Sequence, residues 1–256
     1  MPVAERARAT SPATGASPAG ARDQQAAARA VREMFSAIAP RYDLLNHVLS
    51  CNVDRLWWRR AARTFDHILR RPDARVLDLC CGTCDMTLAL EGRATRNHLP
   101  LVGADFARPM LTLAARKLEG RPIRLLEADA LQLPFADRSF DLVVSAFGFR
   151  NLANYRSGLQ EILRVLRSGG EMGIFDFSEP SGLLGKAYRL YFRHVLPRIG
   201  NLISGSTGAY SYLSASVERF PQPPEMLQQM RDCGFKDATW KAYSFGIAGL
   251  FRGIKA

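Results

Sequence analysis

The fold of this chain is decided by the stretch Arg75–Asp85, which reads RVLDLCCGTCD. A short apolar run carrying one acid, Asp78, gives way to a tight turn of small residues and then to the amphipathic segment Met86–Leu90. This order is typical of a buried strand that leads through a turn into a helix. Such a turn brings bare backbone close to a ligand. A second acid, Asp105, ends the next apolar run, about 20 residues beyond the turn, where nucleotide-binding α/β folds place the residue that holds a ribose.

Beyond Pro72 short apolar runs alternate with helical patterns. The runs predict seven strands, at Val76–Leu79, Leu101–Ala104, Ile123–Leu126, Leu142–Ala146, Met172–Phe177, Ala238–Tyr243 and Ile247–Phe251. Helical patterns intervene at Pro109–Leu118 and Tyr155–Leu166. The alternation predicts an α/β protein with a doubly wound, Rossmann-like, seven-stranded sheet that is mostly parallel. Because the last two runs are too close for a helix between them, we expect a hairpin and one antiparallel strand there.

The N-terminal segment and one internal segment differ in character from this alternation. Residues 1–29 hold almost no large aliphatic side chain, so we expect a disordered tail, with a transit peptide as the weaker alternative. Residues 30–256 are expected to form one domain, which includes a helix predicted at Asp54–His67. Within the domain, residues 181–215 are predicted to form a basic, amphipathic lid. Such a lid covers an apolar substrate, contacts a membrane surface, or packs on the core as an ordinary helix.

Composition and charge restrict the partners. The hydrophobic fraction of 47% and the charged fraction of 23% are ordinary for a soluble globular domain. The formal net charge of +11 favours anionic partners: acidic lipid, phosphate-bearing ligands or nucleic acid. No apolar run is long enough for a transmembrane helix and the N-terminus lacks the apolar region of a secretory signal, so we expect a cytoplasmic protein.

The chain has 5 cysteines, an odd number with three of them clustered, which favours a reducing compartment over a disulfide framework. Cys81 and Cys84 have the spacing of half a zinc site or of a redox pair. A zinc site usually needs a second pair of ligands, and no histidine lies close by in the sequence. We therefore expect no metal, and interpret these thiols as small side chains in a crowded turn.

Candidate ligand-binding residues lie where the predicted parallel strands end. In an open α/β sheet, ligands bind outside these carboxyl ends, at the switch in strand order. Four separate loops supply the candidates, which are Asp78 and Thr83, Asp105, Asp129 and Ala130, and Ser145 and Ala146. The turn matches neither a Walker motif nor a complete dinucleotide fingerprint, so a nucleoside with little or no phosphate fits better.

Several of these motifs together carry a resemblance. The chain resembles class I S-adenosylmethionine-dependent methyltransferases at Val76–Thr83, Ala104–Asp105, Ala128–Phe135 and Phe140–Leu142. It is further similar to the quinone-biosynthesis C-methyltransferases, the demethylmenaquinone and polyprenyl-benzoquinol methylases, at Met34–Asn46, Phe147–Asn151, Arg164–Gly170, Phe175–Pro180, Tyr210–Leu213 and Arg252–Lys255. The first motif alone is weak, whereas the ordered set, which extends from about Val31 to the C-terminus, is specific.

The resemblance implies methyl transfer from S-adenosylmethionine to a ring carbon of a prenylated hydroquinone. The motifs make Gly82, Thr83, Asp105, Asp129, Ala130 and Ala146 cofactor contacts, with Asp78 beneath the methionine part. Arg150 and Asn151 fall close to the quinol ring in this family. A guanidinium keeps its charge, so Arg150 suits the stabilisation of a phenolate, unless it is a structural arginine paired with an acid. His194 on the lid is a candidate base, although a surface position is the simpler interpretation.

Three positions depart from the family pattern. Cys84 stands where the family has Gly, Cys80 where it has Ala or Gly, and Asp129 where Asn is usual. If the position of Cys84 needs a positive φ, a side chain there carries a conformational cost. We expect cofactor binding to survive these changes, because Thr83 and Asp105 are present.

The sequence is also compatible with functions other than quinol methylation. The nearest is a methyltransferase that acts on another lipid or small molecule, and a further one is a non-catalytic relative that binds S-adenosylmethionine. A nucleic-acid partner is not expected, because no motif of interleaved aromatic and basic residues occurs. The basic lid and tail instead favour peripheral contact with the inner face of an anionic membrane. A homodimer is compatible with the sequence, which does not specify the oligomeric state.

Overall fold

The computed structural model describes residues 14–18, 21–43, 50, 52–178, 180 and 209–256. The first thirteen residues and most of the predicted lid, including His194, lie outside the described residues. Only the end of the lid segment is described, as part of a helix at Ala209–Arg219.

Seven strands form one sheet in the order β3-β2-β1-β4-β5-β7-β6. Their bounds are β1 Val76–Leu79, β2 Leu101–Asp105, β3 Ile123–Glu127, β4 Phe140–Ala146, β5 Leu166–Phe177, β6 Phe235–Tyr243 and β7 Ala248–Lys255. The central β1 pairs in parallel with β2, where Leu77 faces Val102, and with β4, where Leu77 faces Val143. Strand β7 runs antiparallel to both β5 and β6. The predicted α/β sheet with one antiparallel strand is therefore confirmed.

Eight α-helices accompany the sheet in the described part of the chain. They are α1 Gln24–Ile38, α2 Val53–Arg63, α3 Asp66–Leu69, α4 Asp85–Glu91, α5 Arg108–Lys117, α6 Tyr155–Val165, α7 Ala209–Arg219 and α8 Pro223–Cys233. The single helix predicted at Asp54–His67 is divided into α2 and α3. Thr64 closes α2 by donating its backbone N–H to the Ala61 and Ala62 carbonyls.

The N-terminal boundary of order differs from the prediction. Helix α1 begins at Gln24, inside the segment expected to be disordered as far as residue 29, so that boundary is wrong. Asp23 caps the helix by accepting a hydrogen bond from the Ala26 N–H at 2.8 Å. Val31 is fully buried on one face of α1. The helix cap and the burial of Val31 offset the loss of conformational entropy on ordering this segment. The composition of the tail alone does not predict this stabilisation.

The sheet is covered on both faces, as the sequence alternation requires. Leu77 and Val143 point into one apolar layer with α6 and α8. Val76 and Leu142 point into the other, where α2, α3 and α4 pack. The two adjacent tryptophans of α2 belong to the second layer.

The carboxyl ends of six strands meet at one edge. Strands β1 to β5 are mutually parallel, and β6 shares their direction because β7 is antiparallel to both β5 and β6. The turns that follow these strands therefore lie on the same side of the molecule. Among the described helices, none is long and apolar enough to cross a bilayer.

Candidate active site

The turn after β1 has an unusual backbone. Cys80, Gly82 and Cys84 have φ values of 57°, 55° and 70°, all in the left-handed region. The positive φ expected to penalise a side chain at position 84 is therefore present, at a cost of about 1–2 kcal/mol for a residue with a Cβ. The Cys84 side chain is fully buried, and the turn is fixed by the Cys81 N–H, which donates to the Ala104 carbonyl at 3.0 Å.

Gly103 on the neighbouring strand makes room for this turn. A Cβ at Gly103 would lie 3.1 Å from Cys81 Sγ and 3.3 Å from Cys84 Sγ. The two sulfurs thus occupy space that the glycine leaves free. Both cysteines are free thiols, and the neighbouring Cys84 thiol together with burial raises the pKa of Cys81. No group of three or more metal-ligating side chains occurs in the described part of the chain.

Asp105 links the ends of β1 and β2. Its carboxylate accepts the Gly82 N–H at 2.9 Å and the Ala107 N–H at 2.8 Å, which fixes its orientation. Burial raises the pKa of Asp105, and these two hydrogen bonds oppose the rise. Because each carboxylate oxygen can accept a second hydrogen bond, the group keeps capacity for a diol.

A cavity with an empty volume of about 720 Å³ opens beside this turn. Six of the predicted site residues line it: Gly82, Asp105, Asp129, Ala130, Ala146 and Asn151. They come from the ends of β1, β2 and β4 and from two adjoining loops. The sheet edge therefore brings most of the predicted residues to one place, whereas Asp78, Thr83 and Arg150 are absent from the lining.

Asp78 is buried beneath the turn, with 1% of its surface exposed. Thr87 Oγ1 donates to Asp78 Oδ2 at 2.5 Å, while Oδ1 is buried without a partner among the described residues. Burial raises the pKa of Asp78 to about 7, the hydrogen bond from Thr87 lowers it, and the charge of Asp105 raises it further. A carboxylate in this position lacks the partners that would stabilise its charge.

Thr83 connects the turn to the N-terminal part of the chain. Its hydroxyl donates to Asp43 Oδ1 at 2.5 Å. Lys117 of α5 contacts the other Asp43 oxygen at 3.1 Å and also pairs with Asp85. These four residues hold the segment after α1 over the turn, and we refer to them as the Asp43 clasp.

Arg150 and Asn151 lie in a short 3₁₀ helix after β4 and are both buried. Arg150 Nη1 pairs with Asp176 Oδ1 at 2.7 Å and also donates to the Phe147 carbonyl. The guanidinium carbon lies 5.2 Å from the centre of the Phe177 ring. Burial lowers the pKa of Arg150, but the charge of Asp176 and its hydrogen bond, together with Tyr42 and Tyr212, outweigh burial and the net shift is upward. Arg150 thus has the acidic partner that the sequence left as an alternative.

Asn151 reaches the cavity next to this ion pair. Its Oδ1 accepts the Tyr212 hydroxyl at 3.1 Å, and its Nδ2 faces the Phe147 carbonyl at 3.4 Å. Burial raises the pKa of Tyr212 to about 12, so the phenol stays protonated and donates. The contact orients the amide of Asn151 in the cavity wall.

Sequence reasoning missed much of the apolar lining. Phe35 and Tyr42 enter from the N-terminal part, and Phe106, Phe147 and Leu152 follow the sheet edge. Phe106 and Phe147 directly follow strands, which is a signal that could have indicated them. Phe35 carries no such signal, because it reaches the cavity only through the packing of α1.

The family model described as the ubiE/COQ5 methyltransferase family matches residues 21–255. The chain belongs to this family. It is therefore a methyltransferase, its cofactor is S-adenosylmethionine, and the resemblance drawn from the motifs is confirmed.

Two curated members of the ubiE/COQ5 family are about half identical to the chain. A demethylmenaquinone methyltransferase of Deinococcus radiodurans is 50% identical over 236 residues, which cover 91% of this chain and 95% of that protein. A demethylmenaquinone methyltransferase of Thermus thermophilus is 49% identical, and the match covers 86% of this chain and 99% of that protein. A protein of Geobacter sulfurreducens named ubiquinone/menaquinone biosynthesis C-methyltransferase is 43% identical and covers 88% of each chain.

Solved structures share the fold at low identity. An S-adenosylmethionine-dependent methyltransferase of Thermotoga maritima gives a TM-score of 0.61 at 19% identity, over 88% of this chain and 100% of that one. The [4+2]-cyclase SpnF gives a TM-score of 0.56 at 17% identity, over 77% of this chain and 80% of that one. Since one of these neighbours is a cyclase, the fold is common to more than one chemistry.

Proposed function

We propose that this member of the ubiE/COQ5 family transfers a methyl group from S-adenosylmethionine to a ring carbon of a prenylated hydroquinone, demethylmenaquinol or a related quinol, in menaquinone or ubiquinone biosynthesis. The observation that carries the proposal is a single cavity with a buried acid, Asp105, on one strand end and an aromatic and amide wall, Phe147 and Asn151, on another. The names of relatives that are 43–50% identical support the same substrate class.

The acid side of the cavity suits the cofactor. Asp105 is oriented by two backbone N–H groups and suits the ribose hydroxyls, while the backbone beside Asp129 and Ala130 suits the adenine edge. Asp78, with its unpartnered buried oxygen, suits the positively charged methionine part. When bound, S-adenosylmethionine supplies an electrophilic methyl group on a sulfonium, a reaction that needs no metal.

The quinol side needs groups that favour a phenolate, because loss of a hydroxyl proton makes the neighbouring ring carbon nucleophilic. We assign Asn151 a direct contact with the ring oxygen, since its amide lies in the wall and is oriented by Tyr212. Arg150 adds positive charge immediately behind the Phe147 carbonyl. Its ion pair with Asp176 holds that charge in a fixed place, which is the condition for electrostatic stabilisation.

The test is a methylation assay with a short-chain demethylmenaquinol, kept reduced, and S-adenosylmethionine. A product in which a methyl group has replaced the ring hydrogen, which leaves as a proton, is expected from the quinol and not from the oxidised quinone. Asp105→Ala should lose cofactor affinity, whereas Asn151→Ala should keep it and lose turnover. Binding of S-adenosylhomocysteine without methylation of any naphthoquinol or benzoquinol would instead favour the non-catalytic alternative.

The lipid character of the substrate leads to a further proposal on location. A prenylated quinol resides in the bilayer, so we propose peripheral association with the inner face of an anionic membrane. The formal charge of +11 supports this, because basic proteins are attracted to acidic lipid surfaces. We keep the proposal of one domain, with its start moved from residue 30 to helix α1 at Gln24. A homodimer remains a proposal that sedimentation can test.

A further inference from the structure

Helix α2 presents a basic, partly apolar face to solvent. Its exposed positions are Arg55, Leu56, Arg59, Arg60 and Arg63. With about 3.6 residues per turn, these five positions fall within an arc of about 140°. The opposite side of the helix packs on the sheet, so the face is a continuous surface and not a scatter of side chains. We call it the α2 arginine face.

The charge of this face is not compensated within its own helix. Its only acidic residue, Asp54, has 3% of its surface exposed and points away from solvent. None of the salt bridges among the residues that the structure describes involves Arg55, Arg59 or Arg60. Arg63 lies near enough to Asp66 to lower the pKa of that carboxyl. An uncompensated cationic face attracts an anionic partner.

An exposed aromatic ring lies in a turn that is hydrogen-bonded to α2. Phe245 is 88% exposed and has a φ of 59°, a conformation that is rare for a bulky residue. Its turn is attached to α2, since Trp57 Nε1 donates to Ser244 Oγ at 2.8 Å. Leu56, within the face, is 46% exposed. Two exposed apolar side chains among arginines are typical of a surface that enters a bilayer interface.

The α2 arginine face and the turn of Phe245 lie close to the cavity. The turn that holds Phe245 follows β6 and lies at the sheet edge where the parallel strands end. Trp57, beneath the α2 arginine face, has its ring centre 6.0 Å from that of Phe147, which lines the cavity. An apolar connection therefore runs from the exposed surface to the site.

We propose that the α2 arginine face and Phe245 form the surface that docks this enzyme on an anionic lipid bilayer. The arginines contact the acidic headgroups, and Phe245 and Leu56 enter the interface. The apolar side chains favour a bilayer over RNA, for which arginines alone would suffice. This inference depends on the proposed function in one respect, namely that the substrate resides in lipid. The surface it identifies is different from residues 181–215.

The test is sedimentation of the full chain with phosphatidylcholine vesicles that contain or lack 30 mol% phosphatidylglycerol, at low and high salt and without quinol. The variants are Arg55→Glu/Arg59→Glu and Phe245→Asn. The matched controls are Arg116→Glu/Arg124→Glu, which make the same charge change on α5 and β3 at the opposite end of the sheet, and Leu99→Asn, which removes another exposed apolar side chain. Binding of S-adenosylhomocysteine checks that each variant is folded.

The parent should bind only the anionic vesicles. With about 1 kcal/mol per arginine near the membrane surface, the loss of two arginines alone should weaken partitioning roughly 30-fold, and the two added carboxylates should weaken it further. Phe245→Asn should weaken it further in the same direction, and the controls should change it little. Parental binding by the double variant or equal loss in the controls would overturn the proposal. Sedimentation with RNA, when RNA replaces the vesicles in the same assay, and none with the anionic vesicles would overturn it as well. None of these outcomes depends on quinol methylation, so the proposed function is tested separately.

Discussion

Replacement of Asp78 by asparagine should change the pH dependence of stability in a defined direction. The pKa of Asp78 rises from 3.8 in the unfolded chain to about 7 in the folded one, chiefly through burial. Between these values the folded state binds a proton that the unfolded state has lost, so stability falls as pH rises. The amide in the variant does not titrate, and the stability of the variant relative to the parent should therefore rise with pH.

The size of this change in stability follows from the pKa shift of Asp78. One pKa unit corresponds to about 1.36 kcal/mol, and the folded carboxyl itself ionises near pH 7, so from pH 5 to pH 8 the parent should lose about 2.6 kcal/mol relative to Asp78→Asn. A buried amide with an unsatisfied donor costs about 1–3 kcal/mol, but this cost is the same at both pH values. The comparison of the two pH values therefore isolates the ionisation.

The measurement is urea unfolding of parent and variant at pH 5 and pH 8. Asp141→Asn is the matched control: burial raises the pKa of Asp141, but the Arg75 N–H and the Arg167 and Arg71 guanidiniums lower it overall. The stability that Asp141 contributes is present above its unfolded pKa of 3.8 and is lost as pH falls through a lower folded value. Its variant should be equally destabilised at pH 5 and pH 8. An equal effect of Asp78→Asn at both pH values would refute the reasoning.

Three further predictions concern the turn, the Asp43 clasp and the buried ion pair. A Cβ at Gly148 would lie 2.3 Å from Cys80 Cβ, so Gly148→Ala should displace the turn and weaken S-adenosylhomocysteine binding in calorimetry at least tenfold. Gly120→Ala is the control: its Cβ would meet nothing within 4 Å, and the strain from its φ of 77° stays local, so ligand binding should not change. Asp43→Asn removes the charge that pairs with Lys117. Because the pair is partly exposed, release of S-adenosylhomocysteine in stopped-flow should become faster by up to about fivefold. An unchanged release rate would contradict a role of the Asp43 clasp in holding the ligand. Arg150→Met leaves the buried charge of Asp176 without its ion pair and should destabilise the fold by about 3–5 kcal/mol. The double variant Arg150→Met/Asp176→Asn should recover stability but not turnover. Recovery of both would show that the role of Arg150 is purely structural.

The sequence determined the architecture because the relevant signals are local. The apolar runs and the spacing of Tyr155–Val165 predict strands and helices one element at a time, and the short interval before Ala248 requires a hairpin. Asp105 could be indicated in advance, since an acid at the end of a parallel strand lies at the edge where ligands bind. The motif set also specified the ubiE/COQ5 family before any contact was known.

The tertiary structure decided what depends on contacts between distant parts of the chain. The start of α1 at Gln24 follows from packing of Val31 on the core, which composition does not reveal. The pairing of Arg150 with Asp176 and the approach of Asp43 to Thr83 join residues 26 and 40 positions apart. Such contacts arise when the sheet closes and brings separate loops together, so the sequence specifies the chemical groups and the packing specifies which of them meet.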